Sequence, residues 1–390
     1  MLEAGKHLLS QSGVKMKFIA TTTKELGTNL SLAVRAVSSR PIHPILGNIL
    51  IEACSNSNMV ILTGFDLAFA ITTRFTAEVS KSGSTTVPAR LLADIVAKLS
   101  DEEVSFELTD NQVTLKCGRG KFTISALPRE EYPDIPEVKS DCKIDIPADV
   151  LLKAIRATQF AASTDETKQV LCGVNLKVNN NRMVVAATDG HRLSVIEIGD
   201  SSVMEMEPVT LPSRLVAELV SALARCSAED IVEIHVHVQE DRVEFRVAKV
   251  TLISRLLVGA YPAYWQLIPK QFTRSVHLNR TELVSALARI TILADQRHHI
   301  VKFVFNQDSL ELSAETAQLG SGMEIIPIEL LGDPITIAFN HKYLVDALKS
   351  MSGVKVKVEF NTELTPVIFT PLGYDGGSLT YLCMPVQLRS

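Results

Sequence analysis

The chain has 390 residues and a mass of 42.7 kDa, room for two to four domains at roughly 100–200 residues each. Hydrophobic residues make up 46% and charged residues 21%, which excludes disorder as the main state, and no apolar run approaches the ~18 residues of a membrane span. A net charge of −5 argues against a simple basic nucleic-acid binder, so the placement of the charge has to be followed along the chain.

The N-terminus, MLEAGKHLLSQSGVKMKF, carries an acid at Glu3, no long apolar core and no small-residue cleavage site, so it makes a poor secretory signal. Residues 1–15 are set aside as an N-terminal extension, and a strand is expected from Met16. A helix follows over 24–40, with Glu25 favourable at the positive end of its dipole. A second covers 87–100, with Leu91, Leu92, Ile95, Val96 and Leu99 at helical spacing and Pro88 in a tolerated first-turn position. Both helices recur. The first type returns as 148–163 and 280–294, its acids Glu25, Asp149 and Glu282 spaced by 124 and 133 residues. The second returns as 212–225, where Leu211-Pro-Ser-Arg matches Val87-Pro-Ala-Arg 124 residues on, and more weakly as 340–351. Tyr132-Pro133 and Tyr261-Pro262 lie 129 apart. Such a period identifies one unit used three times. Between the helices run alternating segments such as Val104-Ser-Phe-Glu-Leu and Val354-Lys-Val-Lys-Val, as antiparallel strands with one wet face require. The expected fold is α+β: three domains, 16–138, 139–269 and 270–390, each with two helices on antiparallel sheets of about eight strands in all.

The six predicted helices hold thirteen Lys and Arg against six acids, a net +7 that leaves −12 for the rest of the chain. An amphipathic polar face that happens to be basic accounts for this. So does a common surface facing a polyanion, which binds phosphate backbone despite an acidic total. With 5% aromatic residues and no base-reading motif, such binding would ignore sequence.

The six cysteines, Cys54, Cys117, Cys142, Cys172, Cys226 and Cys383, form no C-x-x-C pair, so reduced thiols in a cytoplasmic compartment are expected. Gly118-Arg-Gly120 lacks the earlier glycine of a phosphate loop and reads as a hairpin. No G-x-S-x-G or H-E-x-x-H is present. Neither the adjacent His298-His299 nor the strand pair His235 and His237 offers a third metal ligand, so no metal or other cofactor is expected. The densest polar motif is Ala187-Thr-Asp-Gly-His-Arg-Leu-Ser194. It admits three uses: an Asp189–His191 acid/base pair in a hydrolase, a turn whose Thr188 and Asp189 satisfy backbone donors, or the wall of a peptide pocket with Leu193 below and Arg192 at the rim.

Several of these segments together resemble the bacterial DNA polymerase III beta subunits, the β sliding clamps that give the replicative polymerase its processivity. They are Arg40-Pro-Ile-His-Pro-Ile-Leu-Gly-Asn48, Thr86-Val-Pro-Ala-Arg90, Ala187–Leu193, Tyr261-Pro-Ala-Tyr264 through Ile268-Pro269, and Tyr381-Leu-Cys-Met-Pro-Val-Gln-Leu388. The resemblance runs from Met16 to about Leu388. It implies the DNA clamp fold and a head-to-tail homodimeric ring of six domains around duplex DNA, helices inside and sheets outside, with no catalytic site and no membrane contact. Implied DNA contacts are Arg40, Arg90, Arg156 and Lys168. The implied groove for the polymerase α subunit, the clamp loader and other clamp-binding-motif clients is Leu171, Thr188, Gly190, His191, Arg192, Leu193, Pro262, Leu267, Leu382, Met384, Pro385 and Val386. Gln266 and Gln387 depart from the pattern, standing where an Arg is usual. The implied ring interface sets Phe122 and Ile124, flanked by Arg119 and Lys121, against Ile292 and Leu293, with Glu324 as the main opposing acid. The rival reading is a repeat scaffold or peptide-binding protein that does not touch DNA.

Overall fold

The structure is a computed structural model that describes residues 14–139, 142–179, 182–199, 205–238, 240–295, 299–316, 320–374 and 376–387. Most of the set-aside N-terminus, the Cys142 side chain, His298 and Leu388 lie outside them. The chain forms two compact units, one of residues 1–140 with 233–237 and 242–255, the other of the remainder.

Among the described residues six α-helices recur in pairs: α1 (Thr23–Ala33) with α2 (Ala89–Val96), α3 (Ala148–Thr158) with α4 (Ser213–Leu223), and α5 (Arg280–Ile290) with α6 (His341–Ser350). Thr22, Asn279 and Asn340 cap α1, α5 and α6 by accepting backbone N–H bonds from the first turn. Pro88, Pro147 and Pro212 stand one position before α2, α3 and α4, not inside the first turn as expected for Pro88 and Pro212. The helices are shorter than their apolar spacing suggested. α1 gives way to a 3-10 turn, Val34–Ala36, and the chain is extended from Val37. Pro41 biases Arg40 away from helical geometry. Arg35, Arg40, Lys98 and Arg225 therefore fall beyond the α-helical turns, and nine basic against six acidic residues remain within them. The basic excess sits as much in the turns after the helices as on the helices.

In the first unit one sheet runs Glu78–Lys81, Val14–Ala20, Val104–Thr109, Gln112–Cys117, Gly120–Ser125. A second includes, in order, Ile231–His237, Arg242–Val247, Val250–Arg255, Phe69–Thr76, Met59–Phe65, Asn48–Cys54 and Gly83–Pro88. Their inner faces and the apolar stripes of α1 and α2 close a core around Phe18 and Phe106, whose rings stack 4.7 Å apart. In the second unit a nine-stranded sheet runs from Met206–Pro212 through Gly173–Asn179, Arg182–Thr188, Arg192–Ile198, Ser378–Cys383, Val367–Leu372, Lys355–Phe360 and Arg274–Asn279 to Leu330–Leu331. A four-stranded sheet there runs Gly320–Pro327, Ser309–Thr316, Ile300–Phe305, Ile335–Asn340.

One rule of connection appears twice. The last strand of the second repeat, Val250–Arg255, pairs antiparallel with Phe69–Thr76, the third strand after α1. The last strand of the third repeat, Ser378–Cys383, pairs antiparallel with Arg192–Ile198, the third strand after α3. The remaining members of the two sets, Gly120–Ser125 and Gly320–Pro327, each end a sheet.

Gly118-Arg119 is a two-residue hairpin turn between Cys117 and Gly120, with Gly118 at φ +53°, as the sequence suggested. Cys54, Cys117, Cys172, Cys226 and Cys383 are free thiols. No helix among the described residues is long and apolar enough to cross a membrane. Gly64 lies where a Cβ would meet the Ala33 carbonyl oxygen at 2.0 Å, whereas a Cβ on Gly27 would touch Val96 at an ordinary 3.5 Å. Gly64→Ala should lower stability by about 1–3 kcal/mol through overpacking. Gly27→Ala should raise it by about 0.5–1 kcal/mol through helix propensity. Urea-unfolding midpoints of the two variants should move in opposite directions.

Candidate functional site

The Asp189 turn joins strands Arg182–Thr188 and Arg192–Ile198, and its geometry follows from three side chains. Asp189 Oδ1 accepts the backbone N–H groups of His191 and Arg192 at 2.8 and 3.0 Å, and its Oδ2 accepts from Arg192 Nε at 3.0 Å. Thr188 Oγ1 donates to the Arg192 carbonyl at 2.6 Å and accepts the Gly190 N–H at 3.1 Å. Gly190 takes φ +94°, where a side chain would be strained. The Tyr261 hydroxyl, kept neutral by burial, accepts the Thr188 N–H at 3.0 Å. Both Asp189 oxygens are thus held by the turn and by Arg192, and no bond joins Asp189 to the exposed His191 ring. The turn reading holds, and the acid/base pair finds no support in the geometry.

Arg192 is not at a rim. Its side chain is 11% exposed. Nη1 donates to Asp346 Oδ2 of α6 at 2.8 Å, and the guanidinium carbon lies 4.6 Å from the Tyr343 ring centroid and 5.6 Å from that of Phe160. Burial works against its charge, but the Asp346 hydrogen bond and the fields of Tyr381, Asp189 and Asp346 more than reverse this and raise its pKa. Arg192 therefore clamps the second repeat's turn to the third repeat's α6. Phe160, Tyr343 and Asp346 escaped the sequence reading as site residues, and Tyr261 entered it only as part of a recurring motif. Asp346 and Tyr343 had a faint signal, three residues apart on one face of a predicted helix.

Beside this clamp the sheet's outer face carries Leu193 and Leu382, directly paired and buried with Ala186, Val195, Tyr264 and Ile368. They form a floor, not a contact surface. What remains open around them is exposed Pro262 and Leu267, with half-buried Leu171, Met384, Pro385 and Val386. The Met384 N–H donates to the His191 carbonyl at 2.9 Å and Val386 N–H to the Ala338 carbonyl at 2.8 Å, so the C-terminal segment is pinned along this surface. Gln266 and Gln387 are both exposed at its margin.

The basic positions differ among themselves. Arg40, Arg90 and Arg156 are exposed. Lys168 is exposed too, but its Nζ donates to the Asp189 carbonyl at 3.2 Å, so it braces the turn. Arg280 donates to the Gly353 and Leu348 carbonyls at 2.7 and 3.0 Å and closes the end of α6. The His299 and His341 rings meet edge to face, 5.4 Å apart, and no group of three metal-binding side chains exists among the described residues.

At the two sheet ends, Arg119, Lys121 and Phe122 are exposed, but Ile124 is 3% exposed and packs into the core of its own unit. Ile292 is 70% exposed, and Leu293 lies against the Gly322 backbone. Glu324 already makes a two-pronged pair with Arg289, at 2.6 and 2.9 Å. That hydrogen bond holds the Glu324 carboxyl below its ordinary range. Met323 and Ile325, which sequence reasoning missed, are 58% and 59% exposed on the same strand. Their alternation in Gly320-Ser-Gly-Met-Glu-Ile-Ile-Pro327 was the available signal.

Arg192→Lys keeps the charge but loses the planar fork and ring stacking. It should cost about 1–3 kcal/mol and raise hydrogen exchange at residues 188–193. His341 supplies a pH test. Burial first, then His299 and Lys342, press its pKa down to about 4 from 6.5. The unfolded chain then binds more protons between those values, so stability is complete above pH 6.5 and falls as pH drops toward 4. His341→Gln should flatten that part of the urea-midpoint profile relative to the parent chain.

Comparison with known proteins identifies the family. Family models for the N-terminal, central and C-terminal domains of the DNA polymerase III beta subunit match residues 16–136, 145–263 and 265–387. The beta sliding clamp of Synechococcus elongatus is 40% identical over 371 residues, covering 94% of this chain and 98% of that one. The Staphylococcus aureus beta sliding clamp is 33% identical over 371 residues, covering 92% and 96%. The Bacillus subtilis sliding clamp structure superposes with a TM-score of 0.89 at 30% identity, covering 96% of this chain and all of that one. By three consecutive domain matches and a shared fold, the chain belongs to the DNA polymerase III beta subunit family, the beta sliding clamps.

Proposed function

We propose that two copies of this chain close head to tail into a ring around duplex DNA and tether a replicative polymerase and other clients to it. The repeats are then the domains 16–138, 139–269 and 270–390, six per ring. The observation that carries this is the pair of sheet-end strands. Twice within the chain, the last strand of one repeat pairs with the third strand of another. Gly120–Ser125 and Gly320–Pro327 are the two strands of these sets left at sheet ends. One chain supplies one of each, so two copies complete both junctions and leave no open end of this kind.

Apolar contact outweighs charge in that closure. Phe122, Ile292, Met323 and Ile325 are all exposed, and burying one such side chain fully is worth about 1.5–3 kcal/mol. An exposed ion pair is worth about 0–1 kcal/mol. Glu324 would also have to share or leave Arg289 to meet Arg119 or Lys121. Exposed Arg40, Arg90 and Arg156 suit phosphate contacts that hold without reading bases, which permits sliding. The open apolar surface from Leu171 to Val386 suits short client segments, with Met384 as its adaptable member. Nothing in this reading requires a bond to be made or broken, so the ring acts as a non-catalytic processivity factor.

Light scattering on the eluting protein should give twice 42.7 kDa, and Ile325→Arg should return 42.7 kDa with its fold intact by circular dichroism. The closed ring, loaded on nicked circular DNA, should stay on the circle in high salt and leave once the DNA is cut open. A parent chain that stays monomeric at micromolar concentration, or equal loss from circular and linear DNA, overturns the ring.

A further inference from the structure

We propose that the cavity behind the Tyr261–Trp265 segment is a second client subsite, which takes an acidic side chain from the same polypeptide whose motif fills the apolar surface. The proposal rests on the client-groove reading above and extends it along the same sheet face.

The register fixes the geometry. Thr188, Ala186 and Val184 alternate onto the outer face of strand Arg182–Thr188, opposite Leu193, Val195 and Glu197. Thr188 and Leu193 belong to the groove end of that face. Val184 and Glu197, with Lys177 paired to Val184, line a cavity of about 890 Å³ at the other end. That volume is within the range of built ligand sites. Four residues of strand separate Thr188 from Val184, about 13 Å at 3.3–3.4 Å each. A client chain leaving the groove needs only about four extended residues to arrive.

The wall between the two sites is shared. Pro262, a groove residue, lines the cavity beside Tyr261, Tyr264 and Trp265, and Leu267 follows in the same segment outside the cavity lining. Leu267 and Trp265 are 59% and 61% exposed, so a crossing chain would lie over apolar side chains left open among the described residues. The cavity's charges select what arrives. Arg182 and Glu197 pair with each other at 3.8 Å. Lys177 is half-buried on the floor and has no ion pair or side-chain hydrogen bond among the described residues. Asp241 also lines the cavity but is exposed, whereas Lys177 is half-buried, so the unanswered charge on the less solvated side of the lining is positive. A carboxylate from a client would answer it in a partly desolvated place, where a charge-assisted bond counts for more than at an open surface.

The test uses the whole chain and fluorescein-labelled peptides in anisotropy titrations. One probe is a hexapeptide ending Leu-Phe. Two sets of longer probes add a four-residue Gly/Ser spacer and then Asp-Glu or, as control, Asn-Gln, at either end. The Asp-Glu extension at one end should tighten binding about tenfold over Asn-Gln at low salt. Lys177→Gln should erase that gain and leave the hexapeptide affinity unchanged, and Trp265→Ala should weaken both extended probes alike. Equal affinity for the Asp-Glu and Asn-Gln probes, or a gain that survives Lys177→Gln, overturns the subsite and leaves the groove standing. A hexapeptide that does not bind the parent chain overturns the groove reading and this proposal with it.

Discussion

A strand at the end of a sheet leaves a row of backbone N–H and C=O groups without partners in the sheet. Inside the chain that need is met twice by joining one repeat's last strand to another repeat's third. The same backbone chemistry leaves two complementary ends, with exposed Phe122 on one and Met323 and Ile325 on the other. Left open, such edges invite indiscriminate pairing. Closed on a second copy, they become the two joints of a ring.

The surface proposed for clients depends on a different constraint, the burial of Arg192. A guanidinium at 11% exposure has to be answered from all sides, and here two carboxylates and two rings answer it. Because Asp189 belongs to the second repeat and Asp346 to the third, the surface exists only where both repeats are folded and in register. The histidine beside it, His191, is left as an exposed wall group with its carbonyl committed to Met384. A motif dense in polar residues thus sets the shape of the turn.

Charge plays a smaller part than its count suggests. Arg280 closes a helix end, Arg289 is held by Glu324, and Lys168 braces the Asp189 turn. The cations left exposed, among them Arg40, Arg90 and Arg156, fit a protein that must hold DNA without gripping it. In the proposed ring a few phosphate contacts would keep affinity low and salt-sensitive, and topology would supply the retention that affinity does not.

Much of this was legible in the sequence by itself. The threefold repeat, the α+β class, the alternating strands and the turn at Asp189-Gly190 follow from local periodicity and turn chemistry, which depend on neighbours within a few residues. Family motifs placed Leu193, Leu382 and Pro262 together. Tertiary structure alone decided the rest. It ended α1 before Arg40, turned Ile124 into the core, and paired Glu324 with Arg289. It also brought Phe160, Tyr343 and Asp346 around Arg192 from positions up to 186 residues apart. Each of these depends on which strand lies beside which, a choice set by summed burial and backbone pairing over the whole fold. No local pattern encodes it, because the partners are remote in sequence and their own neighbourhoods are unremarked.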